Sequence, residues 1–198
     1  MKKLFTIVLT VFVITTSTSQ EKNIETKSVS INNLITFIVE NYPNSTSDIN
    51  NIFLLVQLPK QGLAIEEEIV LKQALKLLSS RLTEEDQISI IGYSGLNGIA
   101  LKPTSAKDIK GMFHAVNDFQ SSIKEFHSDG IAFTYEFAEA EFDEEAINTV
   151  IMVRNPNPSI SEINASPVVS NKNGKKKNNA VLITAISLLP ELIAIIKN

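Results

Sequence analysis

A chain of 198 residues, 43% hydrophobic and 20% charged, has the apolar content to bury one sizeable core. Its formal charge of −4, from 18 basic and 22 acidic side chains, leaves no basic excess for holding nucleic acid. It contains no cysteine, which excludes a disulfide framework, a thiol nucleophile, a thiolate-bound zinc and a lipoprotein anchor.

The first element is a targeting segment. Lys2 and Lys3 precede the apolar run Leu4–Ile14, and Ser17 and Ser19 fit the −3 and −1 positions of a signal-peptidase site. Residues 1–19 are therefore expected to be a signal peptide, with an uncleaved anchor as the alternative. Export places the protein in the periplasm, the cell envelope or outside the cell. Residues 20–48 form an N-terminal extension. It opens with the polar stretch Gln20–Ser28, to which no element is assigned. Ile31, Leu34, Ile35, Ile38 and Val39 then recur at helical spacing until Pro43, which predicts an amphipathic helix.

Residues 49–160 carry the main domain. The continuous apolar character of Asn51–Val56 predicts a buried strand. Ile65–Leu82 is a helix with Leu71, Leu75, Leu78 and Leu82 on one face, and Glu66, Glu67 and Glu68 favour its N-terminal turn. Gln87–Tyr93 is the next strand, and Ile99–Pro103 a short edge strand after the turn "SGLNG". Ser105 to Asp108 has capping-box spacing and would open a helix running to about Phe119. "SSIKEFHSDG" is a connection, Ile131–Phe142 a further helix and Thr149–Val153 a last buried strand. This order predicts an α/β fold: a three-layer sandwich with a mostly parallel central sheet and helices on both faces.

Residues 161–179 read as a polar linker that contains the one dense basic cluster, Lys175–Lys176–Lys177. Residues 180–198 are almost continuously apolar as far as Ile196. Three arrangements of this last segment remain open. It could be a helix docked on the domain's own sheet or N-terminal helix. It could be a membrane-associated tail, although Pro190 and Glu191 count against a spanning helix. Or it could be a strand over 180–186 followed by a helix starting near Pro190.

Several blocks, taken in order, resemble a von Willebrand factor type A domain. "IFLLVQLPKQG" is similar to that family's first strand and metal-site loop. "LKQALKLLSSRLTEEDQISIIGYSG" resembles its first helix, acidic turn and second strand, and "IALKPTSAKDIKGMFHAV" its edge strand and next helix. "DGIAFTYEFAEAEF" and "NTVIMVRNP" resemble a later helix and the strand after it. The resemblance covers Asn51 to Pro156. It implies an adhesion site that grips a divalent ion through an Asp-x-Ser-x-Ser loop, a threonine and a further aspartate. Here the three loop positions fall on Gln57, Pro59 and Gln61. The threonine position falls on Asp129, or on Ser128 one residue earlier, and the aspartate on Asn155. Proline has no side-chain oxygen, and neutral amides are weak ligands for a hard cation. No metal, cofactor or catalytic group is expected.

Other chemistry is thin. His127 and Asp129 lie close enough in sequence to form a base and its orienter, but a surface histidine is the plainer reading. No Walker loop, G-x-G-x-x-G or G-x-S-x-G pattern occurs. The expected function is a non-catalytic, exported protein–protein interaction module with a degenerate metal site. Its partner-binding loops would carry Gln57, Lys60, Gln61, Asp129, Arg154 and Asn155. The alternative is an envelope structural or membrane-anchored component acting through its apolar C-terminal segment.

Overall fold

The structure, a computed structural model, describes residues 22–44 and 48–156. The expected signal peptide, the linker 161–179 and the apolar segment 180–198 lie outside the described residues.

Five strands form one sheet in the order β1-β5-β2-β3-β4. They are β1 (Glu25–Ser30), β2 (Ile49–Leu58), β3 (Gln87–Ser94), β4 (Gly98–Ser105) and β5 (Ala146–Arg154). All neighbours run parallel except β3 and β4, which are antiparallel. The helices are α1 (Leu34–Asn41), α2 (Ile65–Arg81), α3 (Ile109–Asn117), α4 (Phe119–Ser122) and α5 (Gly130–Ala140). The expected α/β architecture is therefore present. Strands β2 and β3 are buried on both faces because apolar side chains alternate into two separate cores. On one face Leu54, Val56, Ile90 and Ile151 pack beneath Leu34 and Ile38 of α1, Leu71, Leu75 and Leu78 of α2, and Met112 and Val116 of α3. On the other, Phe53, Leu55, Ile91 and Val150 lie beneath α5. There Phe137 meets the Phe53 ring edge-on at 5.9 Å between centroids.

The polar stretch before Ser28, expected to carry no element, supplies β1. Its residues pair in parallel with β5 from Glu25 opposite Thr149 to Ser30 opposite Arg154. Val29 is its one buried residue, so the strand exists because the β5 backbone offers hydrogen-bond partners. Short and charged, it also suits an outer edge. Helix α3 differs too. Ser105 completes β4 opposite Gln87, and Asp108 is the cap, its Oδ1 accepting from the Gly111 amide at 3.0 Å. Asp118 then caps α4 by accepting from the Ser121 amide at 2.9 Å. This short helix occupies the start of the expected connection.

A polar network closes the end of the sheet where the parallel strands begin. Asp86, only 2% exposed, accepts from the Asn50 amide at 2.7 Å and the Asn50 side chain at 2.8 Å. It also accepts from the amide and hydroxyl of Thr83. Beside it the Asn51 side chain donates to Asn148 Oδ1 at 3.0 Å. These groups bind one another and leave the opposite end of the sheet as the place for loops with a function.

Candidate functional site

Four connections meet above the C-terminal ends of the parallel strands, where open α/β sheets hold their ligands. The β2–α2 connection turns at Pro59–Gly62, closed by a bond from the Gly62 amide to the Pro59 carbonyl at 2.9 Å. Gly62 takes a φ of +86°, a left-handed conformation that glycine enters without strain. The β3–β4 turn presses against this loop. A Cβ on Gly95 would fall 2.5 Å from the Lys60 amide nitrogen and 2.6 Å from the Leu58 carbonyl oxygen. Backbone thus fills much of the crevice between the first two loops.

Of the six residues singled out, the fold brings Gln57 and Asn155 together. Gln57 Oε1 accepts from the Asn155 amide at 3.0 Å across 98 residues of sequence, with the Tyr93 hydroxyl a longer donor at 3.5 Å. The Asn155 side chain donates to Glu67 Oε1 at 2.7 Å. Glu67 Oε2 in turn accepts from the Ala64 amide at 3.0 Å, which satisfies one of the free amides at the start of α2. A carboxylate only accepts, so Asn155 must present its nitrogen. A backbone amide only donates, so Gln57 must present its oxygen. The chain leaving β5 is therefore clasped to the end of β2 and to the first turn of α2.

The remaining residues go elsewhere. Lys60 and Gln61 are exposed on the turn, and Arg154 is exposed at the end of β5. Asp129 is the cap of α5, its Oδ1 accepting from the amides of Ile131 at 2.9 Å and Ala132 at 3.1 Å. His127 stacks on Phe133 with ring centroids 3.6 Å apart. The two side chains that could have formed a base and its orienter thus have separate partners. Burial pushes the Tyr93 hydroxyl above its usual range, with the nearby Arg154 guanidinium opposing. Tyr93 therefore stays a neutral donor at physiological pH.

The donor set does not fit a hard divalent ion. Gln57 Oε1 is committed to two donors, Asn155 turns its nitrogen to Glu67, and Pro59 has no side-chain oxygen. Among the described residues no group of three His, Cys, Asp or Glu side chains is placed to hold a metal. No described helix is long and apolar enough to cross a membrane.

Glu67 and Tyr93 also belong to this end of the molecule, and neither is among the six residues singled out from the sequence. Glu67 reads as one of three solvated acids. The capping-box signal that would mark it needs a hydroxyl residue at the cap, where the chain has Ala64. Tyr93 reads as the last residue of an apolar strand and the first of the turn that follows it.

Comparison of the chain with protein-family models, with curated proteins and with solved structures returns no match.

Proposed function

We propose that the protein is an exported, non-catalytic recognition module of the von Willebrand factor type A kind, without a metal, that binds a protein partner at the C-terminal end of its sheet. One observation carries the reading. Three of the large apolar side chains left most exposed stand at that end: Ile65 at 74%, Phe126 at 56% and Ile131 at 39%. Ile65 begins α2 two residues beyond the Pro59–Gly62 turn, after Leu63 and Ala64, and Phe126 and Ile131 flank the start of α5. Large apolar groups held in water beside exposed polar ones, here Lys60, Gln61 and Arg154, are typical of surfaces that another protein covers. The strand order supports the family reading, which requires the segments at Asn51 and Thr149 to be adjacent; β2 and β5 pair directly, with Ile52 opposite Thr149.

The test is affinity capture with the mature chain against Lys60→Ala/Ile65→Ser/Arg154→Ala. Ile147→Ser, at the other end of β5 where the side chain is 40% exposed, serves as the control. A partner kept by the control and lost by the triple variant supports the reading. If wild type and triple variant hold the same partners equally, this end of the sheet is not the interface.

A further inference from the structure

The two edges of the sheet are built differently. At one, β4 carries Pro103, which has no amide hydrogen to donate, and its pairing with β3 breaks register between Ile88 and Ile90 and again between Ile90 and Ile91. Proline and bulges are common means by which an edge strand refuses another strand. At the other edge, β1 keeps unbroken parallel register with β5 from Glu25 to Ser30, without proline or glycine. Alternate amides and carbonyls of such an edge point outward, and among the described residues no strand pairs with them. The edge is open on both faces. Leu34 and Ile38 of α1 line a small void with Leu54 and Ile151, which seats that helix over β2 and β5, inboard of β1. On the other face Thr26 and Ser28 are exposed, with the Thr26 hydroxyl 3.0 Å from that of Tyr135 on α5.

What guards β1 is charge. Glu25 and Lys27 stand on one face of the strand, 3.4 Å apart, with side chains 47% and 34% exposed. A foreign strand laid along this edge must cover both. A second copy can match both. Directly opposed side chains share a face, so two antiparallel β1 strands about a twofold axis normal to the sheet can set Thr26, Lys27 or Ser28 opposite its own copy. Lys27 at the axis opposes lysine to lysine, which is unfavourable. Ser28 at the axis opposes Lys27 to Val29. Thr26 at the axis opposes threonine to threonine, and Glu25 to Lys27 on either side of it, so four charges alternate in sign. Both kinds of cross-strand neighbour are favourable. We infer that β1 is a self-pairing edge, through which two copies of this chain join their sheets with Thr26 at the axis. The same charges that admit this register penalise other registers and other strands. Because the copies run antiparallel, the C-terminal ends of their sheets point in opposite directions, and the pair presents one partner surface at each end. That two-ended display rests on the recognition surface proposed above; the pairing does not.

Sedimentation equilibrium of the full mature chain is the first test. A single strand-to-strand seam lies at the small end of interface sizes, so a dimer with a micromolar dissociation constant is expected. Glu25→Lys sets like charges opposite each other at two places and should weaken it roughly tenfold. Glu25→Lys/Lys27→Glu exchanges the signs, keeps the match and should restore the wild-type constant. A second measurement leaves these charges in place. The chain has no cysteine, so an introduced one can bridge only to its own copy. At Thr26 it would face its counterpart within disulfide reach. At Ser28 it would sit roughly 13 Å along the strand from its counterpart, four residues at about 3.3 Å each. Under mild oxidation Thr26→Cys should cross-link at least about fivefold faster than Ser28→Cys. A chain that stays monomeric throughout the micromolar range overturns the inference. So does Glu25→Lys associating as tightly as wild type, a charge exchange that recovers nothing, or equal cross-linking of the two cysteine variants.

Discussion

Replacing Asn155 by aspartate tests the clasp between β5, β2 and α2 most directly. Asn155 is 7% exposed, and its side chain donates to Glu67 Oε1 at 2.7 Å. Asn155→Ala removes a bond to a charged acceptor, at about 1.5–3 kcal/mol. Asn155→Asp removes the same bond and sets a second carboxylate against the first. Two like charges roughly 3 Å apart at an effective dielectric of about 20 repel by ~5 kcal/mol. Relaxation of the chain end and access of water to Glu67 leave about a third of that. The expected destabilisation at pH 7 is therefore about 3–4 kcal/mol for Asn155→Asp and ~2 kcal/mol for Asn155→Ala. Like charge raises the proton affinity of the folded pair above that of the unfolded chain. The extra loss should thus fade as the pH falls toward about 4, where one carboxyl takes up a proton and can again donate. Urea titrations followed by far-ultraviolet circular dichroism suit a chain without tryptophan, and both variants should shift the midpoint at unchanged m. If Asn155→Asp is no worse than Asn155→Ala at pH 7, or recovers nothing on acidification, Asn155 does not face Glu67 and the clasp is wrong.

The buried acid at the other end of the sheet predicts acid sensitivity. Burial alone would raise the Asp86 carboxyl, but the bonds from Thr83 and Asn50 outweigh it and hold the group below its usual range. Its stabilising contribution is complete above the unfolded carboxylate pKa and is lost as pH falls through the lower folded value. Asp86→Ala should cost about 3 kcal/mol near pH 7 in urea titrations and flatten the decline of stability below about pH 4. Gly95→Ala would drive a methyl into the backbone of Leu58 and Lys60, and thermal unfolding should show a loss of about 1–3 kcal/mol. Melting temperatures in Mg²⁺ or Mn²⁺ should match those in chelator, because a bound ion would stabilise the folded state in proportion to its saturation. An upward shift with either ion would refute the account of Gln57 and Asn155 as a hydrogen-bonded clasp.

Much of the fold was legible because apolar periodicity and burial are local statements about the same residues. The runs at Asn51–Val56, Gln87–Tyr93 and Thr149–Val153 could only be buried strands, and the leucines of α2 could only face a core. The candidate site was legible by exclusion alone: Pro59 has no side-chain oxygen in any fold, so the loop could be read as deficient without knowing what surrounds it. The bonds that each loop residue makes within the fold were not legible. Asp129 caps α5 because the chain turns into a helix at that point.

The sequence alone therefore determined the α/β class, the central strands and the lack of hard-cation ligands in the β2 loop, each a property of side-chain chemistry at known positions. Only the tertiary structure decided that the polar segment Glu25–Ser30 is a strand, since its backbone partners lie in β5, more than a hundred residues away. It alone joined Gln57 and Glu67 to Asn155, across 98 and 88 residues. A hydrogen bond depends on which donor arrives beside which acceptor, and for residues so far apart only the assembled sheet settles that.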